Sequence, residues 1–366
     1  MSPPTRPASE TDIRGYLERT HHPLADNVAA LKLDVAKDPL RVLKELMVGH
    51  NIYIPFENTF ISLALTSIHL LDIRLTKYLL GVKEVTAPPL DPASIHSRLV
   101  ARHLGGYCYF HGLELCQILL GLGYTCRPVS AYVKEGPSKE GESRIMLPTR
   151  PTHCCVLLDL DGTTYFVDCG FARRGPVVPI PLPDTQKAGD VGPSVGSPIL
   201  PTESWHIAVA DLSTLGLPED SDRTLVNPTY LLKHRSIRKG QSIDDAPWDI
   251  LYAITTQTED LETYEQLSWH VCIGDKGVSH KFREYFAVAR TYQPGKTGPE
   301  YPLENVGSKQ VVDYSAKLAR LSLTNMELSV FEEGEKRVIC VFADEQERLA
   351  GLKKWFGLCG PFDGKV

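Results

Sequence analysis

The chain has 366 residues, 42% hydrophobic and 23% charged, enough material for more than one large core. A net charge of −6 and an isoelectric point near 6.1 provide no positive field to collect nucleic acid or an anionic membrane, so neither is expected as a partner. The nine cysteines are odd in number and irregularly spaced, Met1 to Glu10 lacks an apolar secretory core, and no run approaches about 18 uncharged apolar residues; reduced thiols in a soluble, cytoplasmic protein are expected.

From Asp12 to about Val100 the apolar residues recur at helical spacing, as in Ile13, Tyr16 and Leu17 and again in Leu40, Leu43, Leu46 and Met47. Pro55 interrupts that spacing within Ile54-Pro55-Phe56-Glu57-Asn58, because it lacks an amide hydrogen and disfavours helix at Ile54. Gly105-Gly106-Tyr107-Cys108 then leads into Tyr109 to Leu122, whose Phe110, Leu113, Leu115, Cys116, Leu119 and Leu120 suit a buried helix stopped by Gly121 or Gly123. Residues 1–123 are therefore read as a helical domain that carries Cys108. From Tyr124 to Val178, short runs rich in Val, Tyr, Phe, Cys and Leu between Asp-Gly and Gly-Pro turns predict strands, and 124–235 is read as a strand domain. Lys134 to Thr152 and Pro183 to Thr202 read as surface loops. Residues 236–366 are read as a mixed third domain, in which Val338 to Phe342 alternates like a strand and Glu345 to Phe356 like an amphipathic helix stopped at Gly357.

Cys108 falls at a helix start, where unpaired amides and the positive end of the helix dipole favour a thiolate, and the two preceding glycines let a substrate come close to the backbone. Position alone decides nothing, since most cysteines simply pack. The downstream segment adds the missing chemistry. His153 to Leu160 and Thr163 to Cys169 are strand-like runs joined by Asp161-Gly162, a strong hairpin signal. A two-residue turn sets Leu160 opposite Thr163 and His153 opposite Gly170, so Asp168 shares a sheet face with His153 as a diagonal neighbour; a three-residue turn would separate them. A cysteine followed by a His that an acid orients is what nucleophilic catalysis requires. Only 45 residues separate Cys108 from His153 and 15 separate His153 from Asp168, against more than about 100 between Cys and His in a papain-type protease. A zinc site on His153, Cys154, Cys155 and Cys169 is the non-enzymatic alternative; adjacent Cys154 and Cys155 point to opposite strand faces and no second ligand pair follows, so no metal is expected.

These residues resemble the arylamine N-acetyltransferase family in Tyr16-Leu17-Glu18-Arg19, His50 ahead of Ile54-Pro55-Phe56-Glu57-Asn58, Gly105-Gly106-Tyr107-Cys108, Thr152-His153, Tyr165 to Phe171 and the closing Leu352 to Leu358. The length looks like that of fungal members. The resemblance implies an α+β fold with an N-terminal helical bundle, a central β-barrel and a C-terminal α/β lid around a cysteine-proteinase-like core. It implies Cys108 as nucleophile, His153 as base, Asp168 as orienting acid and Phe171 as an aromatic of the acceptor pocket. It also implies an acyl-CoA co-substrate, acetyl-, propionyl- or malonyl-CoA, and a small aromatic amine or hydrazine as partner. Arg173 and Arg174 follow Phe171 directly and are the expected contacts for coenzyme A phosphates. The alternative is a transglutaminase- or peptidase-like hydrolase with the same three residues.

The chain departs from the family at several positions. Leu104 stands where the family has an Arg that pairs with the acid of the Pro-Phe-Glu-Asn motif, which leaves Arg19 as the expected partner of Glu57. Phe110, Gly112 and Ala172 replace commoner residues, and the lid motif survives only around Asp260, Glu262 and Phe282.

Overall fold

The computed structural model describes residues 4–59, 87–134, 145–197, 199–216, 229–273, 285–298, 303 and 312–358. Ser9 and Asp12 cap each other's backbone at the start of α1 (Glu10–Arg19), Asn27 caps α2 (Val28–Lys37) and Asp38 caps α3 (Pro39–Tyr53). Pro55 ends the helical run, and β1 (Phe56–Glu57) follows. Asp91 caps α4 (Pro92–His96), which passes into a π-helical turn at Ser97–Ala101. The central helix α5 (Cys108–Leu122) is closed by Gly123 in the left-handed region, at φ 99°. Apolar residues surround α5 on nearly every side, so Leu113, Leu115 and Leu119 pack in one core with Ile13, Leu31 and Leu46.

The strands that follow are β2 (Thr125–Val133), β3 (Ile145–Met146), β4 (His153–Leu160), β5 (Thr163–Val167), β6 (Ile180–Pro181), β7 (Val195–Ser197), β8 (Leu200–Val209), β9 (Leu215–Gly216), β10 (Tyr230–Ser236) and β11 (Asp249–Ile254). Eight of them form one antiparallel sheet in the order β6-β5-β4-β2-β11-β10-β8-β7. It almost closes into a barrel: Val191 bridges Ala208 of β8, and a Cβ on Gly192 would sit 3.2 Å from the Pro181 carbonyl of β6. Strand β4 is buried on both faces, which is why it reads as a continuous apolar run. Cys154, Val156 and Leu158 face the helical core, whereas Cys155 and Leu157 face the barrel interior with Phe166, Trp205 and Tyr252.

Helix α6 (Leu261–Ile273), whose first turn is capped by Asp260 through Thr263 N–H at 2.8 Å, returns Tyr264, Leu267 and Val271 to the helical core. A second sheet, β1-β12-β13-β14-β15, joins β12 (Ala287–Tyr292), β13 (Ala319–Thr324), β14 (Glu327–Glu332) and β15 (Glu335–Val341) to the Pro55-Phe56-Glu57 segment. Helix α7 (Glu345–Phe356), ended by Gly357 at φ 65°, covers it with Leu352 and Phe356.

The helical bundle, the barrel and the C-terminal sheet-and-helix unit are those expected from the sequence. Two boundaries differ. The barrel sheet continues to Ile254, past the expected limit at 235, because β11 lies between β2 and β10. The stretch 183–202 is loop only at first: Val195–Ser197 and Leu200 onward pair as β7 and β8. Of the lid residues named from the sequence, Asp260 and Glu262 begin α6, and Phe282 lies outside the described residues.

Candidate active site

The turn before α5 is built by the Pro55-Phe56-Glu57 segment. Glu57 N–H donates to the Gly106 carbonyl at 2.7 Å, and Gly106 N–H donates to the Pro55 carbonyl at 3.3 Å. A Cβ on Gly105 would run into the Pro55 carbonyl, and one on Gly106 would lie 2.7 Å from Phe110 Cβ. The two glycines therefore make room for the protein's own backbone and the Phe110 ring rather than for a substrate, which corrects the sequence reading.

Arg98, in the π-helical turn, closes this turn from below. Its Nε donates to the Gly105 carbonyl at 2.8 Å and its Nη2 pairs with Glu57. The expected Arg19–Glu57 pair does not form; Arg19 Nε donates to the Leu99 carbonyl instead. Arg98 was not singled out from the sequence, although it is a basic residue a short distance upstream of the glycines, where Leu104 had removed the expected one. The Arg98 guanidinium carbon lies 5.3 Å from the centre of the Phe110 ring, and a Cβ on Gly112 would lie 2.9 Å from the Cys154 carbonyl, so the unusual Phe110 and Gly112 are both fitted to close packing.

The hairpin forms as expected. Asp161 and Gly162 both take positive φ, 49° and 80°, and Leu160 pairs with Thr163 and Val156 with Val167. His153 Nε2 donates to Asp168 Oδ2 at 2.8 Å. The same oxygen accepts Tyr252 Oη–H at 2.5 Å, and Oδ1 accepts Gly170 N–H at 2.7 Å. Cys108 Sγ lies 3.7 Å from the carbonyl of Thr152, the residue before His153, and lines the same cavity as the His153 ring. A Cβ on Gly170 would lie 2.8 Å from Cys108 Cα, so the hairpin end rests directly on the start of α5. Tyr252 of β11 was missed from the sequence because Ile250 to Ile254 offers no alternation to mark an inward position.

All three side chains are buried, Cys108 at 3%, His153 at 1% and Asp168 at 1% exposure. Burial opposes the His153 imidazolium, but the Asp168 carboxylate and then the Cys108 sulfur outweigh it and raise the group to about 10. Burial likewise opposes the Asp168 carboxylate, and His153 and Tyr252 hold it below its ordinary value of 3.8.

Cys108 and His153 border a largely apolar cavity of about 330 Å³ that also meets Phe171, Arg173 and Arg174. The Phe171 ring stands edge-on to His153, with ring centres 5.3 Å apart. Arg174 is engaged by Asp249 at 2.9 Å and by His234 Nδ1 at 3.3 Å, whereas the charges nearest Arg173 are Arg174 and Glu327. Cys154 and Cys155 are divided between two cores, so the four-residue zinc set is not assembled, and among the described residues no three His, Cys, Asp or Glu side chains are grouped to hold a metal ion.

A family model for N-acetyltransferase matches residues 39–193, the span from α3 through the hairpin. The chain is 23% identical over 301 residues to N-malonyltransferase FDB2 of Gibberella moniliformis, covering 80% of this chain and 76% of that protein. It is 32% identical over 166 residues to the arylamine N-acetyltransferase of Mycobacterium tuberculosis, covering 44% of this chain and 48% of that protein. The Mycobacterium marinum arylamine N-acetyltransferase in complex with CoA shares the fold, with a TM-score of 0.55 at 20% identity over 94% of this chain and 92% of that one. Motif order, the matched span and the three-part architecture agree: the chain is similar in sequence to arylamine N-acetyltransferases and shares their fold.

Proposed function

We propose that the protein transfers an acyl group from a coenzyme A thioester to an arylamine or arylhydrazine, with Cys108 as nucleophile, His153 as proton carrier and Asp168 as the group that orients His153. The observation that carries this reading is a helix-start cysteine and an imidazole that line one cavity, with a buried carboxylate bonded to the imidazole behind it. In the first half-reaction the Cys108 sulfur attacks the thioester carbonyl. The C–S bond to coenzyme A breaks, and the departing thiolate takes the His153 proton. In the second, neutral His153 removes a proton from the attacking amine as its nitrogen bonds to the acyl carbon, and Cys108 leaves as thiolate beside the restored imidazolium. The Cys108 and Tyr109 amides, which have no partner within α5, are the proposed donors to the carbonyl oxygen as negative charge develops on it.

Transfer must outrun hydrolysis of the acyl-cysteine. Phe171 and the apolar wall favour a stacked aromatic acceptor over water. Arg173 and Arg174 at the same cavity are the proposed contacts for the anionic groups of coenzyme A, with Arg173 the freer of the two because Asp249 and His234 already engage Arg174. The names of the relatives, N-malonyltransferase and N-acetyltransferase, make malonyl- and acetyl-CoA the donors to compare first. A hydrolase using the same three residues is the competing reading.

A donor-by-acceptor matrix beside Cys108→Ala decides between them. Amide formation with parallel double-reciprocal lines, lost in the variant, supports transfer. Release of the free carboxylic acid at the same rate with and without arylamine supports hydrolysis.

A further inference from the structure

Behind the nucleophile lies a second set of buried polar groups that the reaction does not consume. Tyr16 of α1, His50 of α3 and His111 of α5 are each 0% exposed. Tyr16 Oη lies 2.9 Å from His50 Nδ1, His50 Nε2 lies 2.7 Å from His111 Nδ1, and His111 Nε2 lies 2.9 Å from the Gly106 carbonyl. The end of this chain fixes every proton in it. A carbonyl only accepts, so His111 Nε2 carries hydrogen. Burial pushes His111 down to about 4 and His50 well below its ordinary value, so both rings are neutral. His111 Nδ1 is then bare and accepts from His50 Nε2–H, and His50 Nδ1 is bare and accepts from Tyr16 Oη–H. All donors point one way, toward the peptide that precedes the nucleophile.

We propose that Tyr16, His50 and His111 are positioning residues that hold the Gly106–Cys108 turn, and with it the Cys108 sulfur, in line with His153. Three features support this role. The Gly106 carbonyl is the acceptor shared by His111 and Glu57, so the relay and the Pro55-Phe56-Glu57 segment grip one peptide from two directions. His111 lies one helical turn after Cys108 on the face against which Gly170 rests, since a Cβ there would sit 3.1 Å from His111 Cβ. The relay also ties α1 and α3 to the turn, so slippage of either helix would reach the nucleophile. A purely apolar filler could supply the packing but not the aimed hydrogen bond.

The inference rests on the transferase reading for its kinetic consequence but not for its geometry, so it is tested by two measurements on the full-length protein. One is the rate of Cys108 alkylation by iodoacetamide, mapped by mass, which needs no acyl donor. The other is kcat and KM with acetyl-CoA and an arylamine. For His111→Leu, alkylation and kcat should fall about tenfold or more per folded molecule, the scale expected for a small misplacement of a reacting group, while KM stays within about threefold. His111→Gln, whose Oε1 accepts and Nε2 donates, should regain most of the loss. Tyr16→Phe, which keeps the packing, should shift both rates in the same direction by a smaller factor. Wild-type rates in folded His111→Leu, or His111→Gln no better than Leu, would overturn the proposal. If His111→Leu does not fold, unchanged alkylation in Tyr16→Phe overturns it. A wild-type protein that is alkylated at Cys108 yet takes no acyl group from any thioester defeats the transferase reading, and the alkylation series still judges the relay.

Discussion

Tyr252 donates its phenolic hydrogen at 2.5 Å to Asp168 Oδ2, the oxygen that also receives His153 Nε2–H. A strand from the far half of the barrel thus completes a carboxylate whose other partners all come from the hairpin. Tyr252→Phe keeps the ring, tilted against His153 with centres 4.8 Å apart, and removes only this donor. Asp168 then becomes easier to protonate, because Tyr252 is one of the groups holding it low. We expect kcat/KM to fall about tenfold, the scale of one hydrogen bond to a charged group, and its acid limb to move to higher pH. A pH–rate profile superimposable on wild type would contradict this.

The Arg98–Glu57 pair stands at the base of the turn that leads into Cys108, with side chains 15% and 2% exposed. Arg98→Ala leaves the Glu57 carboxylate buried with Thr59 as its one side-chain partner among the described residues, so unfolding free energy should drop by about 3–5 kcal/mol. Arg98→Lys should recover part of it, since an ammonium cannot serve Glu57 and the Gly105 carbonyl in one plane. Chemical denaturation of the three proteins measures this, and a loss below about 1 kcal/mol in Arg98→Ala would contradict it.

How far this site could be read in advance depended on sequence separation. Cys108 was legible because glycines, an apolar helix and a stop at Gly123 lie in one stretch. His153 and Asp168 were legible because a two-residue turn fixes side-chain parity, and the register of β4 with β5 obeys it. Arg98, Tyr252 and the His50–His111 contact were not. Each depends on packing between elements distant in the chain, where neither periodicity nor a turn constrains the partner. Helix α7 was legible to its last residue from amphipathic spacing and Gly357. Strand β11 was not assigned to the barrel, because its pairing with β10 and β2 is set by tertiary contact alone.

Ala172, beside Phe171 at the cavity, adopts φ 40°, in the left-handed region where a Cβ is strained by about 1 kcal/mol. Ala172→Gly relieves that strain but adds freedom to the unfolded chain. The balance should be a gain of no more than about 1 kcal/mol, seen as a Tm raised by a few degrees at most. A clear fall in Tm would show that the Cβ contributes packing that outweighs its strain.

The charge on His153 predicts a pH dependence of stability. Its folded value, about 10, exceeds its ordinary 6.5, so the stabilisation is complete below 6.5 and is lost as pH rises through about 10. Asp168, held below 3.8, remains charged across that window. Asp168→Asn should therefore destabilise the protein more below pH 6.5 than above about 10, and should lower kcat by about a thousandfold or more. Equal destabilisation at both ends of the window would show that the pair is not ionic.

Trapping the covalent intermediate addresses the chemistry itself. Wild-type protein is mixed with acetyl- or malonyl-CoA in the absence of amine, quenched in acid and mapped by mass, then the experiment is repeated with an arylamine added before the quench. One acyl group on Cys108, absent from Cys108→Ala and discharged to the amide by the arylamine, is the expected result. An acyl group on any other residue, or amide formation that survives in Cys108→Ala, would contradict it.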